Sequence, residues 1–303
     1  MWVKMNIPLN IEDNDIYLHW RATKLENYPN KIKDLTVKIN TPGQLNKQQI
    51  KNIRNICYKT NMAIYEASEA IIEDKDIPLN IGASIGLNNI ERSLTTEKDG
   101  VSELTETSSG VKSNYIPYSN KSLGWHTDGC YNDKNYPING FLLHCVRAAE
   151  HGGENFLLDP EIAYILLRDE NPEFIDGLMF SDTLTIPPNI KNGSVLREQQ
   201  AGPALSLQSQ NNSMSFKNLH LRYTARKTHV IWKDDPRTIA ALDFLKKILH
   251  GNCPFIFRVK LKPGSGLIGN NILHNRTEFK DHNSARSKRL IYRIYYRDRV
   301  ITN

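Results

Sequence analysis

Cysteine is scarce: Cys57, Cys130, Cys145 and Cys253 are the only four in 303 residues. No two stand as C-x-x-C, which argues against a cysteine-built zinc site, and their wide spacing gives no disulfide framework. No apolar run approaches the ~18 residues needed to span a bilayer. Repeats and low-complexity linkers are absent. The start, Met1-Trp2-Val3-Lys4, does not read as a secretory signal, so a reducing, cytoplasmic setting is expected. Hydrophobic residues make up 39% of the chain, low but adequate for a core at this length. The net charge is +6, yet Lys and Arg are interleaved with Asp and Glu, and the densest basic stretch is the short Arg286-Ser287-Lys288-Arg289. No nucleic-acid partner and no membrane partner are expected; a basic site for a small anion accounts for the charge as well. Homo-oligomerisation is left open.

The first half of the chain carries helical patterns. Asn14 to Arg21 reads as a short helix ending near Tyr28-Pro29. Thr41-Pro42-Gly43 is expected to open the next, with Leu45, Ile50, Ile53, Cys57, Ala63 and Ile64 at roughly helical spacing. Residues 78–121, rich in Ser, Thr, Asn and Gly, read as irregular strands and loops. From Tyr115 onward short strands dominate: Phe141–Val146, Leu219–Thr224, His229–Trp232, Phe255–Leu261, Leu267–Leu273 and Leu290–Tyr296. Helices are expected over Pro160–Leu167 and Asp235–Leu249, and a turn at Gly152-Gly153. Many short strands without βαβ alternation predict a mainly β fold, a barrel or jelly roll with helical additions. The whole of 1–303 is read as one domain, with a helical and irregular part over 1–114 and the barrel motifs over 115–297.

Chemistry concentrates at Trp125-His126-Thr127-Asp128-Gly129. On an extended segment His126 and Asp128 point to the same side and can bind one ion. The third ligand must come from elsewhere, and His274 is the candidate. Two imidazoles and one carboxylate on one face leave positions open, the arrangement of Fe(II) oxygenases. Beyond His274 runs Lys288-Arg289-Leu290-Ile291-Tyr292-Arg293. By parity Arg289, Ile291, Arg293 and Tyr295 share one strand face. Two cations there are costly to bury without anions, and a dicarboxylate would supply one.

The order of these motifs resembles the TauD/TfdA superfamily, which includes taurine dioxygenase and the butyrobetaine and trimethyllysine hydroxylases. The matching text is Tyr118 to Asp128, His144-Cys145, Gly152-Gly153-Glu154-Asn155, Asp159, Asn270 to Arg276, and Arg289 with Arg293. The resemblance covers about residues 115–297 and is looser over 1–110; the cysteine cluster of a zinc-binding amino-terminal domain is missing. It implies a double-stranded β-helix (jelly roll, cupin-like) core. It implies Fe(II) held by His126, Asp128 and His274, 2-oxoglutarate as cosubstrate with its distal carboxylate on Arg289, and O₂ as oxidant. Asn155 stands where taurine dioxygenase has a threonine. Succinate and CO₂ would be released as a C–H bond of a small organic molecule is oxidised; Arg293 hints that the molecule carries an anion, and the aromatic residues that it carries a cation or ring. Arg293 matches the arginine that meets the substrate sulfonate in taurine dioxygenase.

Tyr118, Tyr131 and Arg226 are further candidates for the substrate side, against core packing for the tyrosines and an ordinary surface role for the arginine. His144 reads as a hydrogen-bonded core histidine, Cys130 as small apolar filler, and Asp159 with Glu161 as caps of the following helix. His220, His229, His250 and His282 read as surface or structural. Two other functions remain at this point: a metal-dependent hydrolase, since H-x-D with a histidine can hold zinc, and a non-catalytic ligand-binding barrel.

Overall fold

The computed structural model describes residues 7–67, 72–92, 96–133, 135–191, 193–210, 213–281 and 287–301. His282 and Arg286 lie outside the described residues. Helices and sheets are mixed, and the chain divides into two compact units, built from 1–28, 125–137 and 158–256, and from 29–124, 138–157 and 257–303. No helix among the described residues is long and apolar enough to cross a membrane.

The second unit holds a seven-stranded sheet. Its strands run in the order Thr36–Lys38, Met62–Glu66, Ser265–Gly269, Gly140–Arg147, Leu290–Tyr296 and Ile90–Glu91, with Ser102–Leu104 also paired to Leu290–Tyr296. The first two strands are parallel and their inner neighbours antiparallel. One sheet face packs on helices Lys47–Thr60 and Asp76–Ser84 through Ile53, Cys57, Ile81, Leu142, Ile268, Tyr292 and Ile294. Each aliphatic side chain buried there contributes about 1.5–3 kcal/mol.

The helix Lys47–Thr60 departs from expectation at both ends. Thr41 to Gln44 is a turn that precedes it, and Asn46 caps it: its side chain accepts from Gln49 N while Gln49 returns a bond to Asn46 N. It stops at Asn61, which takes φ 57°, so Ala63 and Ile64 belong to the next strand rather than to the helix. Residues 76–84, expected to be irregular over their last part, form a helix that tolerates Pro78 within its first turn.

The expected strand Leu267–Leu273 is two strands. Ser265–Gly269 ends at a corner where Asn270 exchanges bonds with Val300 and its backbone N–H reaches Asn61 O at 2.7 Å. Asn271 follows with φ 51°, its amide donating to Ile138 O at 2.7 Å. The chain then leaves the seven-stranded sheet and resumes as Leu273–Arg276 in a four-stranded sheet ordered Phe257–Val259, Asn155–Leu158, Leu273–Arg276, Leu123–His126. The corner therefore sets His274 on the strand beside the one that ends in His126.

The first unit holds helices Asn14–Leu25, Pro160–Glu170, Glu173–Met179 and Pro236–His250. It also has hairpins Asn189–Lys191/Ser194–Arg197 and Leu205–Gln210/Ser213–Leu221. Asp159 caps the second helix by accepting from Glu161 N at 2.8 Å. Asp159 and Glu161 also both meet the buried ammonium of Lys24.

Candidate metal and cosubstrate site

The segment 126–128 is held by its middle residue. The Thr127 hydroxyl donates to Leu221 O at 2.7 Å and accepts from Tyr223 N at 3.0 Å, while Thr127 N donates to Tyr223 O at 2.9 Å. His126 forms a β-bridge with Thr224. With Thr127 stapled inward, alternation turns His126 and Asp128 the other way together; His126 Nε2 lies 3.8 Å from an Asp128 carboxylate oxygen.

One ligand atom each from His126, Asp128 and His274 lie within 4.8 Å of one another. The His274 Nδ1 stands 3.0 Å from Ile272 O. A carbonyl can only accept, so Nδ1 donates to it, which leaves Nε2 as the nitrogen toward a metal, as metal-binding imidazoles are commonly held. Phe141 packs its ring against His274 at 4.8 Å. Gly269 makes room for that ring, because a Cβ there would fall 2.6 Å from it. Two imidazole nitrogens and a carboxylate fit a first-row divalent ion such as Fe(II).

Gly152, Gly153, Asn155 and Arg289, expected around the cosubstrate, are brought together. Gly152 and Gly153 take φ 68° and 72°, and a Cβ on Gly152 would lie 2.1 Å from Glu278 O. Only glycine permits this approach. Together with Asn155, Lys260 and Arg289 they line a small pocket. Arg289 is 6% exposed, and its Nη1 finds no hydrogen-bond partner among the described residues. Burial pushes its guanidinium down to about 10. Asp281 lies near but takes the Arg289 backbone N–H rather than the guanidinium. Phe279 was not singled out from the sequence, and Arg276 entered only as the last residue of the matched stretch Asn270 to Arg276. The Phe279 ring lies 4.9 Å from the Arg276 guanidinium carbon and 5.0 Å from that of Arg289. Arg276 donates to the carbonyls of Pro117, Ser119 and Lys121. Burial, then the charge of Arg289, lower it to about 9. Its sequence signal was its place in that matched stretch, two residues past His274.

The remaining candidates scatter. Arg293 is half-buried and stacks on Tyr295 at 4.3 Å; its Nε is buried without a hydrogen-bond partner among the described residues. Tyr131 accepts from Arg226 Nη1 at 2.9 Å. Tyr118 is buried, with the Lys112 ammonium 5.4 Å from its ring centre. Of the bland readings, His144 is a core histidine: Tyr65 shares a 2.9 Å hydrogen bond with its Nδ1, Tyr292 stacks on it, and burial lowers it to about 4. Cys130 is buried beside Thr127.

A family model described as Taurine catabolism dioxygenase TauD, TfdA family matches residues 23–295. Among curated proteins, a uridine-5'-phosphate dioxygenase of Amycolatopsis sp is 28% identical over 177 residues, 56% of this chain and 60% of that protein. A namesake from Streptomyces sp is 34% identical over 86 residues, 28% of this chain and 31% of that protein. The match thus spans at most about 60% of these relatives' length. Among solved structures, asparagine oxygenase in complex with Fe(II), hydroxyasparagine and succinate superposes with a TM-score of 0.57 at 13% identity, covering 86% of this chain and 93% of that one. The non-heme iron oxygenase OrfP, with Fe, succinate and dihydroxy-L-Arg, gives 0.57 at 16% identity, covering 83% and 81%. These likenesses are of fold.

Proposed function

The chain belongs to the taurine catabolism dioxygenase TauD, TfdA family, and from that premise we propose that it is an Fe(II)- and 2-oxoglutarate-dependent oxygenase of a small anionic molecule. The observation that carries the reading is the convergence of His126, Asp128 and His274 within 4.8 Å. These three would hold the ion. When bound, Fe(II) and 2-oxoglutarate supply the activation of O₂ that converts the cosubstrate to succinate and CO₂ while a substrate C–H bond is oxidised. Arg289 receives the distal carboxylate of 2-oxoglutarate, with Asn155 beside it after the Gly152-Gly153 turn. A buried guanidinium left without an anion is costly, and a dicarboxylate removes that cost by bidentate pairing. A metal-dependent hydrolase or a passive barrel needs no such dicarboxylate seat, so an Arg289 Nη1 without a hydrogen-bond partner among the described residues favours the oxygenase.

The sheets that carry these residues support a double-stranded β-helix core, and the continuous family match over 23–295 supports a single catalytic domain. Arg293 faces the substrate or the metal-proximal carboxylate; its lack of a carboxylate partner among the described residues fits a ligand anion there. Similarity to uridine-5'-phosphate dioxygenases fits an anionic substrate. The test is succinate release from 2-oxoglutarate by purified protein with Fe(II) and O₂, followed by a metabolite screen for compounds that accelerate it. Consumption of neither 2-oxoglutarate nor O₂ under any condition of that screen would refute the reading.

A further inference from the structure

The loop after Asp128 carries Tyr131, and two guanidinium groups from separate elements converge on its ring. Arg197, at the end of the hairpin strand Ser194–Arg197, has its guanidinium carbon 5.1 Å from the ring centre. Arg226 comes within 5.6 Å of the same centre and donates from Nη1 to the Tyr131 hydroxyl at 2.9 Å. A third cation, Arg222, donates to the Cys130 carbonyl at 3.1 Å. Neither Arg222 nor the exposed Arg226 has a carboxylate partner among the described residues. Three like charges gathered on one loop repel, and an anion from outside the chain relieves the repulsion.

The place of this cluster matters as much as its charge. Thr224 bridges His126, and Arg226 N is tied back to the Thr224 hydroxyl at 3.4 Å. Arg226 therefore lies two residues past the residue bridged to His126, and Tyr131 lies in the turn three residues past Asp128. A carboxylate is saturated by one guanidinium fork. Two forks and a phenol hydroxyl match a group with two charges and three terminal oxygens.

We propose that Arg197, Arg226 and Tyr131 form the subsite for a phosphomonoester group of the primary substrate. The proposal deepens the oxygenase reading and rests on it. Its test uses protein loaded anaerobically with Fe(II) and 2-oxoglutarate, titrated with uridine 5'-phosphate, uridine, ribose 5-phosphate and ribose. Each phosphorylated probe should bind at least about tenfold tighter than its unphosphorylated partner, in line with a charge-assisted bidentate contact. The Arg197→Met/Arg226→Met double variant should lose that advantage, and Arg226→Lys should keep part of it. Arg226 is exposed, so Arg226→Met alone gives the answer if the double variant does not fold. Equal affinity of the paired probes in the wild type overturns the proposal, as does no binding of either phosphate. So does an advantage that survives in the variants. Succinate release by the wild type without any probe reports separately on the oxygenase reading.

Discussion

Lys24 and Arg289 are both cations taken out of water, at 6% exposure each, and the protein treats them in opposite ways. Lys24 sits 2.7 Å from Asp159 and 2.5 Å from Glu161. Burial alone would lower its pKa, but the two carboxylates outweigh it and the net shift is upward. Arg289 has no such pair among the described residues: its Nη1 has no hydrogen-bond partner there, and burial lowers its pKa to about 10 despite the nearby Asp281 carboxylate. The lesson is one of provenance. Where the chain supplies the counter-charge, the cation ties elements together, here the helix Asn14–Leu25 to the cap of Pro160–Glu170. Where the described residues do not, a ligand anion can supply it, which is the role proposed for the partner of Arg289. His144 shows a third course, in which the buried group gives up its charge.

Substitution at the two cations should therefore separate stability from binding. Lys24→Met strands two carboxylates, one of them fully buried, and is expected to cost about 3–5 kcal/mol in denaturant unfolding. If that cost is below about 1 kcal/mol, the network does not hold the helices. Arg289→Met should do the reverse. It removes an uncompensated buried charge, so stability is held or raised, while 2-oxoglutarate affinity falls at least about tenfold, or 1.4 kcal/mol. Unchanged affinity in a calorimetric titration would move the cosubstrate seat to Arg293 or Arg276.

The third effect is one of pH and concerns His144. Burial depresses its folded pKa from 6.5 to about 4. Below pH 6.5 the unfolded chain takes up a proton that the folded chain refuses, so this contribution to stability is full above 6.5 and is lost as pH falls toward 4. The loss is on the order of 3 kcal/mol. His144→Gln, which keeps an acceptor for Tyr65, should flatten that slope; an unaltered slope would assign it to carboxylates instead.

Much of this was legible in the sequence because it depends on local rules. Strand parity placed His126 with Asp128, and the strand Leu290–Tyr296 and the helix begun by Asp235 follow their own residue patterns. What escaped depends on distant partners. The break after Gly269 requires Val300, Asn61 and Ile138 to receive Asn270 and Asn271, and no window around residue 270 contains them. The helix end at Asn61 follows from a single left-handed residue. Phe279 gains its place between Arg276 and Arg289 only through pairing with Gly152, so its neighbours in sequence gave no sign of it.

The central claim is that His126, Asp128 and His274 together hold Fe(II) beside 2-oxoglutarate. It is tested most directly by titrating Fe(II) into the anaerobic protein with 2-oxoglutarate and following the weak visible band of the ternary complex. The wild type should develop the band and, on admitting O₂, release succinate. His126→Ala, Asp128→Ala and His274→Ala should each lose both signals while remaining folded. A His274→Ala protein that keeps both at wild-type strength would contradict the account.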